Sequence, residues 1–155
     1  MKLASIDNGS RDGCLAVVAQ DGGRYLPAGD IAPCLQEALE NWTELAPKLT
    51  SLSEQLDQGG GKSLDGVNIL APLPRAWQWL DGSAFKSHGD LMEKVFGIDP
   101  VPLDKPLMYQ GMSHRFLSAT QDVEFLREED DIDFEGELGI ITDDVPMGIS
   151  AAEAM

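Results

Sequence analysis

Lys2-Leu3-Ala4-Ser5-Ile6, then Asp7-Asn8-Gly9-Ser10-Arg11-Asp12-Gly13, then Cys14-Leu15-Ala16-Val17-Val18-Ala19: two short apolar stretches enclose a dense cluster of turn formers. Asn, Asp and Gly tolerate positive φ, so Asn-Gly and Asp-Gly are the chemistry of antiparallel hairpins. A second turn, Asp21-Gly22-Gly23, leads into Arg24–Leu26. The opening of the chain therefore predicts a small antiparallel meander. Its turn residues are read as structural.

Outward from the meander, Leu35, Leu39, Trp42, Leu45, Leu49, Leu52 and Leu56 recur every three or four positions. That spacing lines one face of a helix. Pro47 interrupts the run, and proline inside a helix loses a hydrogen bond and clashes with the preceding turn. Two helices meeting near Ala46-Pro47 are expected, with Pro47 in the first turn of the second. Together they would cover the meander. The glycine-rich stretch Gln58–Lys62 is the candidate linker. Beyond it, Val67–Leu70 reads as a strand, Ser83–Phe96 as a segment holding a short helix that ends at Gly97, Ile98–Lys105 as loop and Leu107–Gly111 as a short extended stretch.

Composition narrows the function classes. The 155 residues are 43% hydrophobic and 25% charged, the balance of a globular chain. Acids outnumber bases 27 to 11, a formal charge of −16. Phosphate backbones and anionic membrane surfaces would be repelled, so neither is an expected partner. No apolar run nears the roughly 20 residues of a bilayer span, and the first residues do not read as a signal peptide. Cys14 and Cys34 are isolated, without a CxxC or a nearby histidine pair, and are read as thiols in a reducing cytoplasm.

The acids concentrate late in the chain. Residues 122–144 hold 11 of the 27, with Arg127 as the one base. Glu128-Glu129-Asp130-Asp131 reads as solvated loop. Asp133-Phe134-Glu135-Gly136-Glu137-Leu138-Gly139-Ile140-Ile141-Thr142 reads as a strand, with Phe134, Leu138 and Ile140 on one face and Asp133, Glu135 and Glu137 on the other. Residues two apart on a strand have Cα atoms about 7 Å apart, so Glu135 and Glu137 can converge on one point. Like charges so placed call for a cation or protons. An all-oxygen set suits Mg²⁺, Ca²⁺ or Mn²⁺. The competing reading is an acidic face that is simply wet.

Asp81-Gly82-Ser83 reads as a turn into the short helix, which makes Asp81 or Ser83 a candidate N-cap. His88 is one of two histidines. As a surface or hydrogen-bonded residue it needs no function, but imidazole also suits a general base near neutral pH.

These residues, taken together, resemble the N-terminal half of the fumarylacetoacetate hydrolase family, in its bacterial form with a small domain before the catalytic one. The resemblance is carried by Met1–Gly13, Ala71-Pro72-Leu73-Pro74-Arg75-Ala76, Asp81-Gly82-Ser83, Pro106-Leu107-Met108-Tyr109-Gln110-Gly111 and Asp133–Gly148. It implies an α+β chain: a sheet-plus-helices domain over 1–65, then, over 66–155, the beginning of a mostly-β catalytic fold. It implies a hydrolase that cleaves a C–C bond in a β-diketo acid such as fumarylacetoacetate or an acylpyruvate. Asp81, Glu135 and Glu137 would hold Mg²⁺ or Ca²⁺, with Mn²⁺ a third option. His88, seven residues after Asp81, would be the general base, and Tyr109 and Ser83 would contact substrate. His88 is expected on a mobile segment near the cleft. Cytoplasmic location and homo-oligomeric assembly are further expectations.

The pattern departs from the family in one place on this chain. Smaller members carry a glutamate three residues after the histidine, where Leu91 stands here, with Asp90 and Glu93 as imperfect substitutes. Further ligands and the orienting acid of the fumarylacetoacetase branch lie downstream of Met155, so the chain is expected to represent a truncated form, weakly active by itself and prone to associate. Two other functions stay open: an isomerase, hydratase or decarboxylase of a related 2-oxo acid, and a non-catalytic assembly fragment.

Overall fold

The computed structural model describes all residues except Ala84, Val101–Pro106, Asp143 and Met155. The described chain divides into two compact units, Met1–Ala119 and Thr120–Met155.

In the first unit, β1 (Lys2–Ile6), β2 (Cys14–Val18), β3 (Arg24–Pro27) and β4 (Lys62–Ser63) form an antiparallel sheet in the order β1-β2-β3-β4. The register pairs Leu3 with Val17 and Ser5 with Leu15. The expected turn chemistry closes the meander: the Asp7, Asn8 and Asp21 side chains each accept a hydrogen bond from the backbone amide two residues on. Gly13 has φ +64°, and a β-carbon there would stand 2.7 Å from the Ile6 carbonyl oxygen. Only glycine fits that conformation and that approach.

Helix α1 (Leu35–Glu40) and helix α2 (Trp42–Asp57) cover the sheet. Leu15, Val17 and Ala19 pack with Leu35, Ala38, Leu49 and Leu56 in the main core. The helix break falls at Asn41, not at Pro47. Asn41 leaves helical geometry (φ −122°, ψ 31°), and its Nδ2 donates to the Glu37 carbonyl, so the side chain competes with the backbone ladder there. Pro47 is the sixth residue of α2, where it removes one hydrogen bond close to the helix start without ending it.

The glycine-rich stretch after α2 is a packed reversal. Arg24 donates to the carbonyls of Leu56 and Gly60, satisfying acceptors at the helix end. β4 then pairs with β3. Residues 67–70 reach the sheet as a bridge between Ile69 and Ile6, flanked by hydrogen bonds from Asp7 N to Asn68 O and from Leu70 N to Ser5 O. The following residues stay close to β1: Ser5 Oγ donates to the Pro72 carbonyl, and Arg75 makes a two-pronged ion pair with Asp12 at 2.7 and 2.8 Å.

β5 (Leu80–Ser83) and β6 (Leu107–Gln110) form a separate antiparallel ribbon, and α3 (Lys86–Phe96) lies between them in sequence. Gly97 ends α3 in the left-handed conformation, as expected from its place after the periodic run. The loop expected over Ile98–Lys105 lies, from Val101 on, outside the described residues.

The second unit has no helix or strand among its described residues. The strand expected over 133–142 is absent, and Phe134, Leu138 and Ile140 are exposed. A strand is held by its ladder to a neighbour, and no described segment supplies one here. Alternation without a partner did not make a strand. Both cysteines are free thiols, Cys34 buried and Cys14 half-buried. No helix is long and apolar enough to cross a membrane among the described residues.

Candidate active site

Asp81 and Ser83 sit on β5, two residues apart, so they share one face of the ribbon. The register sets Tyr109 opposite Asp81 and Leu107 opposite Ser83. Three of the expected site residues, Asp81, Ser83 and Tyr109, therefore lie on one face although 28 residues separate Asp81 from Tyr109. The Tyr109 hydroxyl donates to Asp81 Oδ2 at 2.8 Å.

The expected capping turn at Asp81-Gly82-Ser83 is corrected by this arrangement. All three residues are in β5, and the residue at the start of α3 is Phe85, which makes no side-chain cap. Pairing with β6 fixed the conformation of this stretch, a partner invisible to local spacing.

Beyond β5 and β6 the antiparallel pairing continues. Gly111 N donates to Trp79 O, Ala76 N to Ser113 O, and Phe116 N to Pro74 O. The Trp79 and Phe116 rings pack with centroids 5.0 Å apart. A β-carbon on Gly111 would stand 2.6 Å from Trp79 Cδ1, so glycine lets the indole lie against the strand. The Trp77 indole N–H donates to Glu40 Oε1, and this bond holds the Glu40 carboxyl below the usual range. This aromatic support was missed in the sequence reading. Its signal was the Trp77-Gln78-Trp79 run immediately before Asp81.

His88 is exposed in the first turn of α3. Asp90, a substitute for the missing orienting glutamate, is engaged elsewhere: Lys86 Nζ donates to both of its oxygens at 2.6 and 2.7 Å. At about 100° per residue, Lys86 and Asp90 share a side of the helix that His88 does not. Leu91, three residues after His88, is exposed.

Glu135 and Glu137 belong to the second unit, where both are exposed and neither is on a strand. Within either unit, no group of three or more His, Cys, Asp or Glu among the described residues is arranged to hold a metal ion. The donors themselves, three carboxylates, suit a hard divalent cation.

The four-stranded antiparallel sheet under two helices defines the first 75 residues as a small α+β domain. Those residues match the fumarylacetoacetase N-terminal domain 2 family over 1–75, and the chain carries the N-terminal region of the fumarylacetoacetate hydrolase family. The match ends at Arg75, the residue clamped to Asp12. No curated protein matches the chain.

Proposed function

We propose that this chain is part of a metal-dependent hydrolase that cleaves a C–C bond in a β-diketo acid, fumarylacetoacetate or an acylpyruvate, and that residues 66–155 begin its catalytic fold. The reading is carried by one observation: Asp81, Ser83 and Tyr109 share a face of the ribbon that follows the family-matched domain. Asp81, Glu135 and Glu137 are the residues to hold Mg²⁺, Ca²⁺ or Mn²⁺. When bound, such a cation supplies Lewis acidity at a carbonyl oxygen and offsets enolate charge. His88, exposed in the first turn of α3, takes the proton of the attacking water. Ser83 lies on the same face as Asp81, within the surface a substrate would meet. Homo-oligomeric assembly in the cytoplasm belongs to the same proposal.

Calorimetric titration of the chain with Mg²⁺ and Ca²⁺ tests the metal set. Asp81→Asn, Glu135→Gln and Glu137→Gln are each expected to weaken binding about ten-fold or more. Affinity unchanged in all three variants removes the reading. In a protein carrying this chain with the rest of the family pattern, His88→Ala should lower acylpyruvate turnover about 10²–10⁴-fold and leave cation affinity intact.

A second reading, an assembly fragment, is favoured by the apolar exposure of the second unit. Leu126 is 95% exposed, Phe134 94% and Leu138 88%, more than isolated surface hydrophobics present. Light scattering that rises with protein concentration, and falls in a Phe134→Ser/Leu138→Ser double variant, is the result this reading expects.

A further inference from the structure

We infer that Tyr109 is a positioning residue for Asp81: by donating its hydroxyl hydrogen to Oδ2, it fixes the carboxylate plane and presents Oδ1 to a divalent cation. The inference rests on the reading of Asp81 as a cation ligand.

Asp81 and Tyr109 are direct partners across the β5–β6 ladder, so the backbone register sets the distance between them. The hydroxyl reaches Oδ2 at 2.8 Å, and Oδ1 has no hydrogen-bond partner among the described residues. The terminal torsion of an aspartate is broad, so a carboxylate without a donor samples many orientations. A tyrosine donor removes that freedom at one oxygen and leaves the other to point in one direction. Divalent cations need carboxylate oxygens at about 2.0–2.6 Å in a set geometry, so holding the carboxylate in advance raises affinity. The strand that carries Tyr109 is itself supported nearby, where Gly111 accepts the Trp79 indole and Trp79 packs on Phe116. Tyr109 thus acts on the ligand, a role distinct from the substrate contact implied by resemblance.

The experiment compares the wild-type chain, Tyr109→Phe, Asp81→Asn and the double variant. Free Mn²⁺ is read by electron paramagnetic resonance. In parallel, the tyrosine ring carbon bearing the hydroxyl is labelled with ¹³C. The chain has two tyrosines, Tyr25 and Tyr109, so two signals appear and Tyr109→Phe assigns them. Tyr109→Phe should weaken Mn²⁺ binding about ten-fold, the low end for a group that orients a ligand, because the pair is accessible to water. The double variant should bind no more weakly than Asp81→Asn, since Tyr109 acts only through Asp81. Asp81→Asn should move the Tyr109 signal and leave that of Tyr25 in place. Wild-type Mn²⁺ affinity in Tyr109→Phe, with binding lost in Asp81→Asn, overturns this inference alone. Additive losses in the double variant also overturn it. Absence of Mn²⁺ binding in the wild-type chain, with the Tyr109 signal still shifted by Asp81→Asn, overturns the metal reading and this inference with it.

Discussion

β2 and residues 133–142 are both short apolar segments beside turn-forming residues, and they meet different fates. In β2, Leu15, Ala16 and Val17 are fully buried between β1 and β3. Its side chains are apolar on both faces, the pattern of a strand covered on both sides. In 133–142, Phe134 and Leu138 are 94% and 88% exposed, and no described segment pairs with the stretch. The difference lies in the neighbours. β2 has turns of the right chemistry on each side, which return the chain alongside it within a few residues. The second stretch has acidic loop before it and no nearby reversal that delivers a partner strand.

The sharpest test of this contrast is truncation of a core leucine in each unit. Leu49→Ala should destabilise the chain by about 2–5 kcal/mol, because Leu49 is fully buried in the main core. Leu138→Ala should stay within about 0.5 kcal/mol. Urea unfolding followed by circular dichroism measures both, and equal losses would break the contrast.

A backbone test has a smaller expected effect. Gly13→Ala forces a β-carbon against the Ile6 carbonyl at a positive φ, a cost of about 1–3 kcal/mol. Gly136→Ala meets no atom within 4 Å and should leave thermal unfolding unchanged. If Gly136→Ala were as costly, the second unit would hold packing that the structure does not display.

The smallest effect is electrostatic and depends on pH. The Arg75 guanidinium, by hydrogen bond and then by charge, holds the Asp12 carboxyl below its ordinary value of 3.8. Because the folded value is the lower one, the unfolded chain takes up the proton first on acidification. The contribution is complete above the ordinary carboxylate range and is lost as pH falls through the lowered folded value. Asp12→Asn should cost about 0.5–1 kcal/mol at pH 7, discounted for the solvent around Arg75. The gap between variant and wild type should close in acid. Glu128→Gln, in the exposed acidic loop, should show no such gap. Stability curves from pH 2 to 7 decide it, and a gap that persists at low pH would mean that Asp12 acts through packing.

Much of the first unit was legible because its signals are local. Asn8-Gly9 and Asp21-Gly22 name turns through backbone φ, the leucine period over 35–56 names a buried helix face, and Gly97 names a helix end. The helix break was misjudged by six residues, since Pro47 announces a cost that a helix start can absorb while Asn41 competes quietly through its side chain. Of the candidate site, the residue types at 81, 83, 88 and 109 were legible as chemistry, but the capping turn at Asp81 was not the structure that formed.

By itself the sequence determined what each segment can do within about one helical turn or one hairpin: where φ turns positive, which face is apolar, where a helix stops. The tertiary structure decided which distant segments meet. It set Tyr109 across from Asp81, brought Arg75 back to Asp12 and left 133–142 without a ladder. The physical reason is that strand pairing and ion pairing depend on partners far along the chain, and no local spacing records where the chain will return.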